Sequence, residues 1–199
     1  MTAPAFVALF EQIRRVHDTH SALHGFANWP DGVEQCETVP FHVPAADRFV
    51  VDAGLHTTRY TALRDAAIAT APVAHWRRTY RDEGLDPAFY DNFACFGVVG
   101  AGGPYVSADL RAFMIYLPAG FYYPWHHHPA EELYFIIAGE AEFSMQGHAP
   151  RILQAGEHVV HPSSVPHATR THGHPVLALV YWRGDITTLP TMLPKGDLP

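Results

Sequence analysis

The stretch GFYYPWHHHPAEELYFIIAG, residues 120–139, contains three histidines and two glutamates and is the most informative part of this sequence for the fold. In an extended chain alternate side chains share a face, so His126 and His128 point to one side and His127 to the other. The Pro129-Ala130 pair that follows interrupts this pattern and predicts a short turn. The stretch is therefore predicted to form two strands joined by a turn.

The second predicted strand carries another pair on one face, Glu132 and Tyr134. If this strand folds back on the first, two imidazoles, a carboxylate and a phenol meet on one inner surface. Neutral imidazole and carboxylate are ligands for Zn, Fe, Mn, Co or Ni. The expected cofactor is one divalent transition metal, whose identity the ligand set leaves open.

The spacing within this stretch resembles a known family motif. From Gly120 to Gly139 it reads G-x5-H-x-H-x3-E-x6-G, which resembles the first cupin motif. A second stretch, from Gly156 to His167, reads G-x5-P-x-S-x2-H and is similar to the second cupin motif. The resemblance implies a β-barrel with a metal inside it.

Two positions depart from the family pattern. Ser164 stands where the family usually has Gly, and Thr171 where it often has Asn. Neither position is a metal ligand in the family, so the implied ligand set is unaffected.

Composition excludes several classes of protein. With 13 basic and 20 acidic residues the formal charge is −7, which argues against a nucleic-acid surface. The N-terminus lacks the pattern of a signal peptide and nothing is long enough to span a membrane, so a cytoplasmic location is expected. Cys36 and Cys95 are predicted to be free thiols rather than a disulfide.

The chain is expected to be mainly β, a single cupin barrel of the double-stranded β-helix or jelly-roll kind, with an N-terminal helical part. Residues 21–55 read mostly as loop because of their Gly and Pro content. The N-terminal part is expected to pack on the barrel or on a second subunit, which makes a homodimer possible.

Three parts are predicted: a helical and irregular part at 1–100, the barrel at 101–190 and a C-terminal tail at 191–199. Helices are predicted over roughly 3–20, from Thr57 or Thr58 to about Thr70, from Pro72 through Trp76, and over about 87–95.

A narrower resemblance rests on two runs of residues. The run FYYPWHHHPAEELY, with YWRGD near the C-terminus, resembles the small cupin dimethylsulfoniopropionate (DMSP) lyases, most closely the DddQ type. That family has a helical N-terminal part before a single cupin barrel. The resemblance implies metal ligands at His128, Glu132, His167 and, in some forms, Tyr134, while His126 matches a cupin ligand position.

The implied substrate is a small sulfonium carboxylate, DMSP or a related onium acid. Cleavage to acrylate and dimethyl sulfide is a β-elimination that needs a base for the proton next to the carboxylate. Tyr134 is the expected general base and Tyr123 its competitor, because a phenol beside a metal ionises more readily than a free one. Tyr123 and Trp182 are expected to form the aromatic wall for the cation.

Two other classes remain open. One is a different metal-dependent cupin enzyme, a dioxygenase or an isomerase. A dioxygenase needs Fe(II) with an open position for O₂, and an isomerase favours polar walls, which the aromatic residues here argue against. The other is a non-catalytic ligand-binding cupin, which needs no ionisable residue such as Tyr134 facing the ligand.

Overall fold

A curled sheet dominates the structure, a computed structural model that describes residues 2–30, 32–77, 80 and 85–194. Within these residues the sheet has nine strands, in the order β1-β2-β8-β4-β7-β3-β9, with β5 and β6 also paired to β4. The strands are β1 (Ala94–Val99), β2 (Arg111–Leu117), β3 (Tyr122–His127), β4 (Glu131–Met145), β5 (Arg151–Gln154), β6 (His158–His161), β7 (His167–Arg170), β8 (Val176–Arg183) and β9 (Thr191–Met192).

The central strands are covered on both faces. Every residue of β2 and seven of the eight residues of β8 are buried. Along β2, Phe113 and Ile115 face the barrel interior, whereas Met114 and Tyr116 pack towards the helices. This double burial explains why these strands read as continuous apolar runs rather than as alternating ones.

The helices pack against the outer face of the sheet. Helix α1 begins with Pro4 at its first turn and buries Phe6, Leu9 and Ile13 on one stripe, as predicted for residues 3–20. In the part of the chain that the structure describes, the α-helices are α1 (Pro4–Thr19), α2 (Ser21–Phe26), α3 (Pro44–Val51), α4 (Thr61–Thr70) and α5 (Pro87–Asn92).

Some elements differ from the sequence prediction. The predicted loop at 21–55 contains α2 and α3, which are too short for a clear helical period. The helix predicted from Pro72 is only a 3₁₀ turn, Ala71–Val73, because Trp76 instead pairs with Phe96 beside β1. The helix predicted to reach about residue 95 ends at Asn92, two residues before β1 begins.

Two strands lie just outside the predicted barrel range of residues 101–190. β1 falls within residues 1–100, and β9 falls within the predicted tail and pairs with β3. Residues 195–199 of that tail lie outside the described residues. The fold class, a mainly β cupin-type barrel with N-terminal helices, is confirmed.

Cys36 and Cys95 are free thiols, as predicted. Among the described residues, none of the helices is both long and apolar enough to cross a bilayer.

Candidate metal centre and active-site cavity

The ends of β3 and β4 bring the predicted ligands together. His126 and His128 are buried while His127 between them is half-buried, as strand alternation predicts. His126 lies opposite His167 of β7 in the sheet register. The ligand atoms of His126, His128 and His167 lie within 4.8 Å of one another.

The backbone fixes which ring nitrogen of each histidine is free. Nδ1 of His126, His128 and His167 lies 2.7, 3.0 and 2.9 Å from the carbonyl oxygens of residues 124, 130 and 165. A carbonyl oxygen can only accept a hydrogen bond, so each Nδ1 carries the proton. Each Nε2 therefore keeps a lone pair for a metal.

Glu132 lies in the middle of this cluster. Its Oε2 atom is 3.4 Å from Nε2 of His128 and 3.2 Å from Nε2 of His167. Its Oε1 atom accepts a hydrogen bond of 2.7 Å from the indole N–H of Trp182, the residue opposite it on β8. Burial opposes ionisation, but the neighbouring imidazoles outweigh it and hold the pKa of Glu132 well below its usual range.

His161 belongs to the cluster although it was not predicted as a site residue. Its ring is buried, stacks on His167 with 4.0 Å between centroids, and has Nδ1 2.9 Å from Oε2 of Glu132. Burial and the nearby His167 lower the pKa of His161 to about 4. A sequence signal did exist, since His161 directly precedes Pro162 of the second motif. Its position opposite Glu132 is set by the pairing of β6 with β4.

Unpartnered atoms test whether a metal fits here. The Nε2 atoms of His128, His161 and His167 are buried and have no hydrogen-bond partner. Such orphaned acceptors are costly unless another group satisfies them. A divalent transition metal satisfies imidazole lone pairs beside a carboxylate, so the donor set fits such an ion.

A small cavity opens from this cluster into the barrel. A larger hollow near Arg48 contains none of the clustered histidines. The lining residues of the barrel cavity are Arg77, Phe93, Cys95, Phe113, Ile115, Tyr123, His126, Glu132, Tyr134, Trp182 and Pro190.

The two predicted phenols differ in their contacts. The hydroxyl of Tyr123 is hydrogen-bonded to the hydroxyl of Tyr80, a residue that no sequence motif indicates. No side chain in the described part of the chain hydrogen-bonds to the hydroxyl of Tyr134, which lines the cavity beside Glu132. Burial raises the pKa of both Tyr123 and Tyr134 well above that of a free phenol.

Trp182 lines the cavity, but its ring already has close neighbours. The ring centroid of His128 lies 4.4 Å away, and the guanidinium carbon of Arg111 lies 5.3 Å from the Trp182 ring. With its N–H donated to Glu132, the indole helps to orient the carboxylate as well as to shape the cavity.

Comparison with known proteins places this geometry in a family. The sequence profile of the family described as dimethylsulfoniopropionate lyase matches residues 20–178. The chain is 49% identical over 198 residues to dimethylsulfoniopropionate lyase DddQ of Ruegeria pomeroyi, covering 99% of this chain and 98% of that protein.

Solved structures agree with the sequence comparison. The crystal structure of DMSP lyase DddQ from Ruegeria pomeroyi matches with a TM-score of 0.96 over 98% of this chain and 100% of that one, at 49% identity. A structure from work on the DMSP lyases RdDddP and RnDddQII matches with a TM-score of 0.91 over 96% and 98% of the two chains, at 31% identity. The chain therefore belongs to the dimethylsulfoniopropionate lyase family, a family of carbon–sulfur lyases.

Proposed function

We propose that this protein cleaves DMSP to acrylate and dimethyl sulfide by a metal-dependent β-elimination with a tyrosine base. The observation that carries this proposal is a buried histidine–carboxylate cluster opening into a cavity lined by two phenols, in a chain 49% identical to a DMSP lyase. The cavity provides the parts that the reaction requires: a group for the carboxylate, a base and an aromatic surface for the cation.

The ligands of the proposed metal are His126, His128, Glu132 and His167, with Tyr134 able to join them. When bound, a divalent metal would supply Lewis-acid stabilisation of charge on the substrate carboxylate and lower the pKa of a neighbouring phenol. Trp182 and His161 hold Glu132 in place through hydrogen bonds to its two oxygens. Such supporting hydrogen bonds orient ligands and affect metal affinity.

Tyr134 is the proposed general base. Tyr134 lines the cavity and its hydroxyl has no hydrogen-bond partner among the described side chains, whereas the hydroxyl of Tyr123 is hydrogen-bonded to that of Tyr80. Tyr134 removes the proton from the carbon next to the carboxylate. The electrons of that C–H bond form the new C=C bond, the C–S bond breaks, and its electron pair leaves with neutral dimethyl sulfide.

Tyr123 and Trp182 are the proposed aromatic contacts of the substrate. An aromatic face attracts a cation by about 0.5–2 kcal/mol. This attraction disappears when the sulfonium becomes a neutral sulfide, which favours release of the product. The exclusion of water from this buried cavity strengthens the electrostatic interactions inside it.

Headspace gas chromatography tests the proposed function directly. Protein reconstituted with Zn²⁺, Fe²⁺, Mn²⁺, Co²⁺ or Ni²⁺ is incubated with DMSP, and the expected result is dimethyl sulfide with at least one metal. Protein treated with a chelator is the control and should release far less. No dimethyl sulfide above the protein-free rate with any of the five metals would contradict the proposal.

The other classes have less support. Membership in a lyase family disfavours a dioxygenase, an isomerase or a non-catalytic cupin. The free thiols Cys36 and Cys95 support the cytoplasmic location that we propose. The homodimer stays a prediction.

A further inference from the structure

We propose that Tyr80 is a positioning residue of the metal centre, which acts through Tyr123 to hold the His126 imidazole in the orientation of a metal ligand. This inference rests on the proposed function, because it concerns the metal of the proposed reaction. The observation behind it is a chain of contacts that runs from Tyr80 to Tyr123 and from Tyr123 to His126.

The contact between Tyr123 and His126 depends on an irregularity in β3. Residues 123 and 126 are three apart, so a regular strand would place their side chains on opposite faces. Their partners on β7, Thr169 and His167, are only two apart, which leaves one extra residue on β3. Such a bulge re-aims the side chains beside it. Tyr123 and His126 therefore both line the cavity, and both are buried.

The Tyr123 ring covers one face of the His126 imidazole. The two ring centroids lie 4.0 Å apart and the ring planes differ by only 19°. The hydrogen bond from Nδ1 of His126 to the carbonyl oxygen of Pro124 fixes the direction of one ring nitrogen, but the imidazole can still tilt about that bond. A flat ring against its face limits this tilt. The direction of the Nε2 lone pair, on which metal binding depends, is therefore set by Pro124 and Tyr123 together.

Tyr123 can restrain the imidazole only if its own ring is held in place. Its hydroxyl lies at the far end of the side chain and is hydrogen-bonded to the hydroxyl of Tyr80. Phe93 packs against the Tyr123 ring with 5.1 Å between centroids and 62° between planes, which restricts rotation of the ring. The hydrogen bond thus fixes the direction of the phenol, and the packing fixes its tilt.

Tyr80 is itself firmly held. Its side chain is buried, and its ring makes edge contacts with Phe89 of α5 and with Phe93, at 5.9 and 6.3 Å between centroids. A buried hydroxyl that loses its partner is left unsatisfied, so burial favours the paired state of the two phenols. Tyr80 is not among the described residues that line the cavity, so we expect it to act through Tyr123 rather than on the substrate.

The affinity for Zn²⁺ tests this role without any use of substrate. Tyr80→Phe keeps the buried ring and removes only the hydroxyl that holds Tyr123. Contacts outside the ligand sphere typically change metal affinity by about 10–100-fold, and a contact that acts through a second residue should fall at the low end of that range. We therefore expect the dissociation constant for Zn²⁺, measured by competition with a chromophoric chelator, to rise roughly tenfold.

Two further tyrosine variants serve as comparisons. Tyr123→Phe removes the same hydrogen bond from the other side, so it should weaken Zn²⁺ binding to the same extent, and the double variant should bind no more weakly than either single one. Tyr116→Phe is the matched control, because it also removes a buried hydroxyl, one that donates to Asp52 among the residues packed towards the helices. It should leave the Zn²⁺ affinity unchanged even if thermal unfolding shows a loss of stability.

A background that lacks His126 separates positioning from a general structural effect. His126→Ala keeps the proposed ligands His128, Glu132 and His167, so it should bind Zn²⁺ more weakly but measurably. If Tyr80 acts through His126, adding Tyr80→Phe to this background should not lower the affinity further. If Tyr80 only supports the barrel, the same change should weaken Zn²⁺ binding in both backgrounds.

The outcomes distinguish this inference from the proposed function. Unchanged Zn²⁺ affinity in Tyr80→Phe, an equal loss in Tyr116→Phe, an equal loss on the His126→Ala background, or a wild type that binds no Zn²⁺ would each overturn the role of Tyr80. The expected pattern of affinities would support it even if wild type released no dimethyl sulfide from DMSP. In that case the metal site would be built as inferred, and only the proposed reaction would be wrong.

Discussion

The ring orientation of each proposed histidine ligand is fixed by a hydrogen bond to a nearby backbone carbonyl. The Nδ1 proton of His128 points at the carbonyl oxygen two residues further along the chain, so its Nε2 points towards Glu132. This local geometry follows from the HxH strand pattern and the turn after it. That is why the sequence sufficed to predict His126, His128 and Glu132 as a cluster.

The first prediction concerns these ligands. His128→Ala or His167→Ala should remove most of the bound divalent metal, because each deletes one imidazole lone pair from the proposed ligand set. Elemental analysis after dialysis measures the metal, and circular dichroism should show a folded barrel. His148→Ala, at an exposed histidine, is the control and should keep its metal. Full metal content in both ligand variants would contradict the assignment.

The second prediction concerns the base. Tyr134→Phe keeps the buried ring and deletes only the hydroxyl, so turnover of DMSP should fall by the ~10²–10⁴-fold typical of general acid–base catalysis. Exchange of solvent deuterium at the carbon next to the carboxylate should fall with it, and metal content should stay high.

Tyr123→Phe is the matched variant for this test. It should raise KM more than it lowers kcat, because Tyr123 is assigned to substrate contact. If Tyr134→Phe turned over normally while Tyr123→Phe did not, the two roles would be reversed. If both turned over normally, neither phenol would be the base and both would only line the cavity.

Residues that act across the barrel were harder to predict. Arg77 lines the cavity and Tyr80 contacts Tyr123, and both belong to a connection far upstream of the motifs that no local spacing indicates. Trp182 was expected as a cation contact, but its pairing with Glu132 across two strands depends on the register between β4 and β8. Such relations exist only after the sheet has formed.

At the scale of elements, β4 organises the barrel. This strand of 15 residues pairs with β5, β6, β7 and β8 along its length. An irregularity between Ile136 and Ala138, followed by Gly139 with φ of 71°, lets it bend. The strand that carries Glu132 and Tyr134 was predicted, although not its full length, whereas β1 and β9 were missed because one is a short apolar run and the other has two residues.

The third prediction tests the bend in β4. A Cβ atom added at Gly139 would lie 1.8 Å from the carbonyl oxygen of Pro175, in addition to its unfavourable φ. Gly139→Ala should therefore lower the free energy of unfolding by about 3 kcal/mol or more. Gly147→Ala is the matched control, since Gly147 also has positive φ, at 82°, but no neighbouring atom within 4 Å. It should cost only about 1 kcal/mol. Urea unfolding measures both, and equal losses would contradict the steric argument.

At the scale of the whole molecule, the helices complete the fold by covering the outer face of the sheet. Helix α1 contributes Phe6, Leu9 and Ile13 to a core that also contains Leu179 and Tyr181 of β8. The inner face of the same strands forms the cavity core. The amphipathic stripe of α1 predicted that such a covering layer exists, but its contact with β8, about 160 residues away, has no signature in a single sequence.

The helical layer contains a titratable group that links its stability to pH. His17 of α1 is buried, with its ring centroid 5.5 Å from that of Trp29 and 5.7 Å from that of His24. Its Nδ1 atom lies 3.5 Å from the hydroxyl of Tyr181. Burial lowers the pKa of His17 below its ordinary value of 6.5, with Asp18 opposing the shift and His24 adding to it. His17 therefore binds a proton more weakly in the folded protein than in the unfolded chain.

The last prediction follows from the sign of this shift. Above about pH 6.5 His17 is neutral in both states, and as the pH falls below that value the unfolded state gains a proton first and folding loses stability. The free energy of unfolding that one titrating group can remove is at most about 1.4 kcal/mol per pH unit. His17→Gln keeps a polar side chain but cannot titrate, so its free energy of unfolding should fall less than that of wild type between pH 7.5 and 5.5. The metal-site histidines titrate equally in both proteins, so the difference between the two urea-unfolding series isolates His17, and His148→Gln, at an exposed site, should behave as wild type. If the free energy of unfolding had the same pH dependence in wild type and His17→Gln, His17 would not be the group that links stability to pH.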